Sequence, residues 1–65
     1  MNEVYVVIAF NKDNFYPVAV CDGLVLAKRY ADREYKERAK SHRINVYKKT
    51  LNAPQLMEDA IVYQL

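Results

Sequence analysis

Cys21, Asp22 and His42 are the residues in this 65-residue chain whose types could combine in a thiol site, and the chain has no other cysteine or histidine. Thiol catalysis needs the sulfur within hydrogen-bonding reach of a base. Cys21 and Asp22 are adjacent, so their side chains point in different directions. His42 lies past the far end of the helix expected after Asp22. A helix of about 18 residues is roughly 27 Å long, which keeps thiol and imidazole apart. One cysteine and one histidine do not make a metal cage, and a single cysteine excludes a disulfide within the chain. The "NKDN" stretch, residues 11–14, lacks the glycine and terminal glutamate of a calcium loop. Phosphate loops, nucleophile elbows and paired-carboxylate patterns are missing too, and a chain this short has little room for a ligand cavity. We therefore expect a non-enzymatic protein with no cofactor and no metal.

What remains is contact chemistry. "KRYADREYKERAKSHR", residues 28–43, holds seven basic and three acidic residues, whereas the whole chain carries only +2. On a helical wheel Arg29, Arg33, Lys36 and Lys40 fall within about 60° of each other, a positive ridge of the kind that neutralises phosphates. The acids are spaced to dilute it. Asp32–Lys36 and Glu34–Arg38 are i,i+4 pairs with the acid first, and Arg33–Glu37 is the reverse pair. The net charge is far below the strongly basic footprint of nucleic-acid-binding domains, so nucleic-acid binding by this ridge is the alternative reading. Tyr5, Tyr47 and Lys49 offer a second surface. Aromatic residues on a sheet can stack bases, but tyrosine equally suits a protein interface, and no RNP-like run is present.

These residues need elements to position them. Residues 4–10, "VYVVIAF", are β-branched and aromatic, apolar at odd and even positions alike, as in a central strand covered on both faces. "NKDN" turns the chain into a second strand, "FYPVAVC", residues 15–21, placed at an edge by Pro17. Asp22 is positioned to cap a helix from Leu24 to Ser41, whose stripe of Leu24, Ala27, Ala31, Tyr35 and Ala39 faces a sheet. "RINVYKKTL", residues 43–51, alternates as a third strand, and "NAP", residues 52–54, ends it. The tail reads as a short fourth strand or an extended arm.

The expected fold is α+β, in the order β-β-α-β. It has a three-stranded antiparallel sheet of order 2-1-3 and one amphipathic helix on one face. Residues 1–65 form a single domain, with a core of 3–51 and a tail of 52–65. Val4, Val6, Ile8, Phe10, Val18, Val20, Ile44 and Val46 are expected to face the helix. The opposite face then carries Tyr5, Val7, Ala9, Ala19, Cys21, Tyr47 and Leu51, too apolar to stay bare on a small monomer. Its cover is the tail, through Leu56, Met57, Ile61, Tyr63 and Leu65, or a second copy of the chain, or a foreign partner. Tyr5, Val7, Tyr47, Lys49 and Leu51 are thus the candidate partner or dimer face. Only seven apolar residues run unbroken near the start, too few for a membrane span, and no secretory pattern follows, so a cytoplasmic location is expected.

The run "YPVAVCDGLVLAKRYADREYKERAKSHRINVYKK" resembles a pattern in short phage and prophage proteins: a strand ending in a turn, an L-x-x-A-x-x-Y/A helix, and a strand like "INVYKK". The resemblance covers residues 4–51 and implies a β-β-α-β fold of viral origin. Small phage proteins of this architecture include inhibitors that bind a host enzyme, so the resemblance implies a module that works by binding. It transfers no individual residue role.

Overall fold

The computed structural model describes residues 3–38, 41–50 and 61–65. They form β1 (Glu3–Phe10), β2 (Phe15–Cys21), α1 (Leu24–Glu37), β3 (Arg43–Thr50) and β4 (Ile61–Gln64). The four strands make one antiparallel sheet of order β2-β1-β3-β4, with α1 across one face. The fold is α+β, and part of the expected tail is the fourth strand. β4 takes up the outer edge of β3, where an unpaired row of N–H and C=O groups needs partners.

Ala27 and Ala31 are fully buried, and Leu24 and Tyr35 pack beside them, so the expected stripe is the inner face of α1. Methyl-sized side chains let the helix backbone approach the sheet closely. Asp22 does not cap α1. The N-cap is Gly23, in extended conformation and with no side-chain cap; its carbonyl accepts from the Ala27 amide at 3.2 Å. Ala39 and Lys40 lie outside the described residues, as do Leu51, Leu56 and Met57.

The faces of β1 are the reverse of those expected. Residues directly opposite in an antiparallel pair share a face. Val7 pairs with Val46 and Ala9 with Ile44, and all four are fully buried under α1 with Ala27 and Ala31. Val4, Val6, Ile8 and Phe10 therefore point to the other side, with Tyr47 and Lys49 of β3. On β2, Cys21 is buried towards the helix and Val20 is 69% exposed. A bulge between Val7 and Ile8 lets Val18 and Ala19 both pack against the core, so Val18 keeps its expected side and Val20 does not. β1 is apolar at both parities and so gave no periodicity to read. Size did carry the signal: Ala9, Ala19 and Cys21 are small, as a close-lying alanine helix requires.

β4 is fastened from α1. The Tyr63 hydroxyl donates to Asp32 Oδ1 at 2.7 Å, and Lys28 Nζ lies 5.3 Å from the centre of the Tyr63 ring. Tyr63 and Leu65 join the helix-side core, so residues 61–65 extend the sheet beyond β3.

Candidate functional site

The face of the sheet away from α1 is built from alternate residues of four strands. β1 contributes Val4, Val6, Ile8 and Phe10; β2 contributes Phe15, Pro17 and Val20; β3 contributes Arg43, Asn45, Tyr47 and Lys49; β4 contributes Ile61 and Gln64. Among the described residues no helix or strand lies over it. Phe15 is 78% exposed and stacks at an angle beside Phe10, with ring centres 6.4 Å apart. Val6, Ile8, Tyr47 and Lys49 line an open depression of about 250 Å³. That is below the ~300 Å³ at which pockets for drug-sized ligands begin. It accommodates a side chain of a macromolecular partner better than a small molecule.

Polar groups are few here and oriented. Asn45 is almost fully buried between its cross-strand neighbours Ile8 and Gln64, and its Nδ2 donates to the Tyr47 hydroxyl at 2.9 Å. Lys49 Nζ lies 5.7 Å from the Tyr47 ring centre. The charged side chains among the described strand positions of this face are Arg43 and Lys49, both cationic. The acid of β1, Glu3, is on the helix side, where it pairs with Lys48 at 3.2 Å. Glu3 raises the Lys48 pKa, first through that hydrogen bond and then through its charge.

Of the expected partner face, Tyr47 and Lys49 are placed together on the open side. Val7 is fully buried and Tyr5 packs against the core on the helix side, so neither belongs to that surface. The face instead gains Val6, Ile8, Phe10 and Val20, which were expected to face the helix, and Phe15, to which the sequence assigns no side.

The basic ridge is partly formed. Arg29, Arg33 and Lys36 share one shallow depression on the outer side of α1, but Asp32 and Glu37 line it too. Arg33 donates to Glu37 at 3.0 Å, both largely exposed, and this bond with the Glu37 charge pushes the Arg33 pKa up. Glu34 accepts from Arg38 at 2.8 Å in a more sheltered pair. The expected Asp32–Lys36 pair is not formed, because Asp32 serves Tyr63. Beside the ridge, Val25, Leu26 and Tyr30 are exposed on the N-terminal half of the helix.

Cys21 is buried, and desolvation, with the Asp22 charge behind it, pushes its thiol pKa up, away from the thiolate that a nucleophile requires. It pairs with Tyr5, whereas Arg43, next to His42, pairs with Phe10. Thiol and imidazole are thus set at opposite ends of β1, about 17 Å apart along the strand. His42 lies just past the end of α1 with both ring nitrogens engaged. It is hydrogen-bonded to Ser41 and Asn11 and meets the Tyr16 ring edge-on at 5.4 Å. Among the described residues no cluster of His, Cys, Asp and Glu could hold a metal, and no helix is long and apolar enough to cross a membrane.

Compared with protein-family models, curated proteins and solved structures, the chain has no significant match in any of the three.

Proposed function

We propose that this chain is a small non-enzymatic interaction module that binds a protein partner through its open sheet face. The observation that carries the reading is that face: an apolar centre of Val6, Ile8, Val20 and Tyr47, with Arg43 and Lys49 as its described charges. Its chemistry fits a partner that presents aliphatic or aromatic side chains flanked by carboxylates. A second copy would bring the same cations to the contact, so a foreign partner is favoured over a homodimer. The centre of the face is the β-branched pair Val6 and Ile8, with the rings of Phe10, Phe15 and Tyr47 around it, and an aliphatic centre suits a protein side chain better than a run of stacked bases. The finer reading is a phage-encoded inhibitor or modulator that acts by occupying a host protein, and it rests on the resemblance of residues 4–51.

A second reading is nucleic-acid binding by Arg29, Arg33 and Lys36, and their shared depression supports it. Capture from a bacterial lysate, with and without nuclease, separates the two. Phe15→Asp with Val20→Asp changes two strongly exposed positions of the open face, and Arg29→Glu with Lys36→Glu reverses the ridge. The main reading expects a nuclease-resistant partner that the ridge variant retains and the face variant loses. Retention by the face variant, or loss on nuclease treatment, would sink it.

A further inference from the structure

We propose that His42 is a proton-operated clasp: with a neutral imidazole it ties the β1–β2 turn to the end of α1 and the start of β3, and a second ring proton releases the turn. Two separate chains of hydrogen bonds lead to this. In the first, Asn11 Oδ1 accepts from the backbone amides of Asp13 and Asn14, each at 2.8 Å. Those two donors fix which end of the Asn11 amide is oxygen. Its nitrogen, which can only donate, then lies 3.1 Å from His42 Nε2, so Nε2 must accept. In the second, Ser41 Oγ lies 2.6 Å from the Arg38 carbonyl oxygen, which can only accept, so the single hydroxyl proton is used there. Ser41 Oγ is also 2.9 Å from His42 Nδ1 and must accept from it. The Ser41 route fixes a proton on Nδ1 and the Asn11 route excludes one from Nε2, so together they specify a neutral ring protonated on Nδ1.

Among the described residues no group beside the ring is placed to accept from a second proton. β2 presents the edge-on Tyr16 ring, and α1 presents Arg38, whose guanidinium lies 4.8 Å from that ring's centre. Glu34, the nearby acid of α1, is already taken by Arg38. The turn supplies Lys12 and Asp13 beside Asn11, and β3 supplies Arg43; Lys12 and Arg43 line one depression with Phe10, Asn11 and Ser41. No carboxylate among these hydrogen-bonds to the ring. A protonated Nε2 therefore points a donor at the Asn11 N–H. Asn11 cannot simply flip, because flipping would withdraw its oxygen from the two turn amides. Ring protonation and the Asn11–His42 tie exclude each other. Phe10 and Arg43, which flank the clasp, belong to the open sheet face, so the proton acts on one end of that face.

The test does not depend on any binding partner. His42 is the only histidine, so it is the only side chain whose ordinary titration falls at about pH 5.5–7.5. Nitrogen-15 NMR of the natural chain at about pH 7.5 is expected to show the Nδ1–H tautomer. The urea midpoint of the natural chain should fall as the pH drops through that range. Asn11→Asp keeps an oxygen for the turn amides and gives the imidazolium a carboxylate, so its midpoint should rise over the same step. An Nε2–H tautomer would overturn the clasp, and so would a midpoint that falls equally in both chains. Should Asn11→Asp not fold, the tautomer in the natural chain decides alone.

Discussion

The two faces of the sheet differ in side-chain size more than in polarity. Under α1 the strands present Val7, Ala9, Ile44 and Val46, and all four are fully sealed by a helix whose fully buried residues are alanines. Away from α1 the same strands present Val6, Ile8, Phe10 and Tyr47, which are only half-buried, with Val20 and Phe15 largely exposed. Small residues close one side because the helix can come near. Larger apolar residues are left on the other side, where they supply contact area. The sealed side carries stability and the open side carries the contact we propose, so substitutions on the two sides should behave differently.

The largest expected effect is on the sealed side. Ile44→Ala should cost about 2–5 kcal/mol, comparable to the whole stability of a domain this small. Val20→Thr on the open side should stay within about 0.5 kcal/mol. Urea denaturation of the two variants measures the contrast directly, and equal losses would mean the open side is also part of the core. Next is Ala31→Leu, which forces a branched side chain into a fully buried position of the helix and should cost about 1–3 kcal/mol by the same measurement.

Tyr63→Phe removes the bond from β4 to Asp32. That bond is exposed, so the loss should sit at the low end of the ~0.5–1.5 kcal/mol of an ordinary hydrogen bond. It also has a pH signature. Donation to Asp32, then burial and the Asp32 charge, raise the Tyr63 pKa above its ordinary value. A raised folded pKa gives stability that is fully present below the unfolded value of about 10 and is lost as pH rises through the folded one. Alkaline denaturation should therefore be steeper in the natural chain than in Tyr63→Phe. The smallest effect is a gain. Gly23 has extended backbone, and a Cβ there would meet no atom within 4 Å, so Gly23→Asp should supply the missing cap and add a few tenths of a kcal/mol to the thermal stability.

Much of the fold was legible in the residues themselves. β-branched runs marked three strands, Pro17 marked an edge, and the alanine spacing marked the buried stripe of the helix. The faces of β1 were not legible, because Val4 to Phe10 is apolar throughout and its side assignment depends on which residue of β3 it pairs with. One residue of register exchanged every side chain between core and surface. That is why Tyr47 and Lys49, on the clearly alternating β3, were placed correctly as surface residues, and Tyr5 and Val7 were not. Asp32 was expected to pair along the helix with Lys36. Its bond to Tyr63 spans 31 residues of sequence, which no local spacing rule reaches.

An apolar face of this kind invites uncontrolled self-assembly, and the bulge in β2 bears on that hazard. Where Val18 is squeezed out of register, the strand is kinked and its outer border carries Pro17, which has no N–H to offer an incoming chain. The opposite border is β4, only four residues long. Both margins are thus poor templates for lateral growth into fibrils. The molecule can leave an apolar sheet face exposed while the edges of that sheet have little capacity to propagate from one copy to the next.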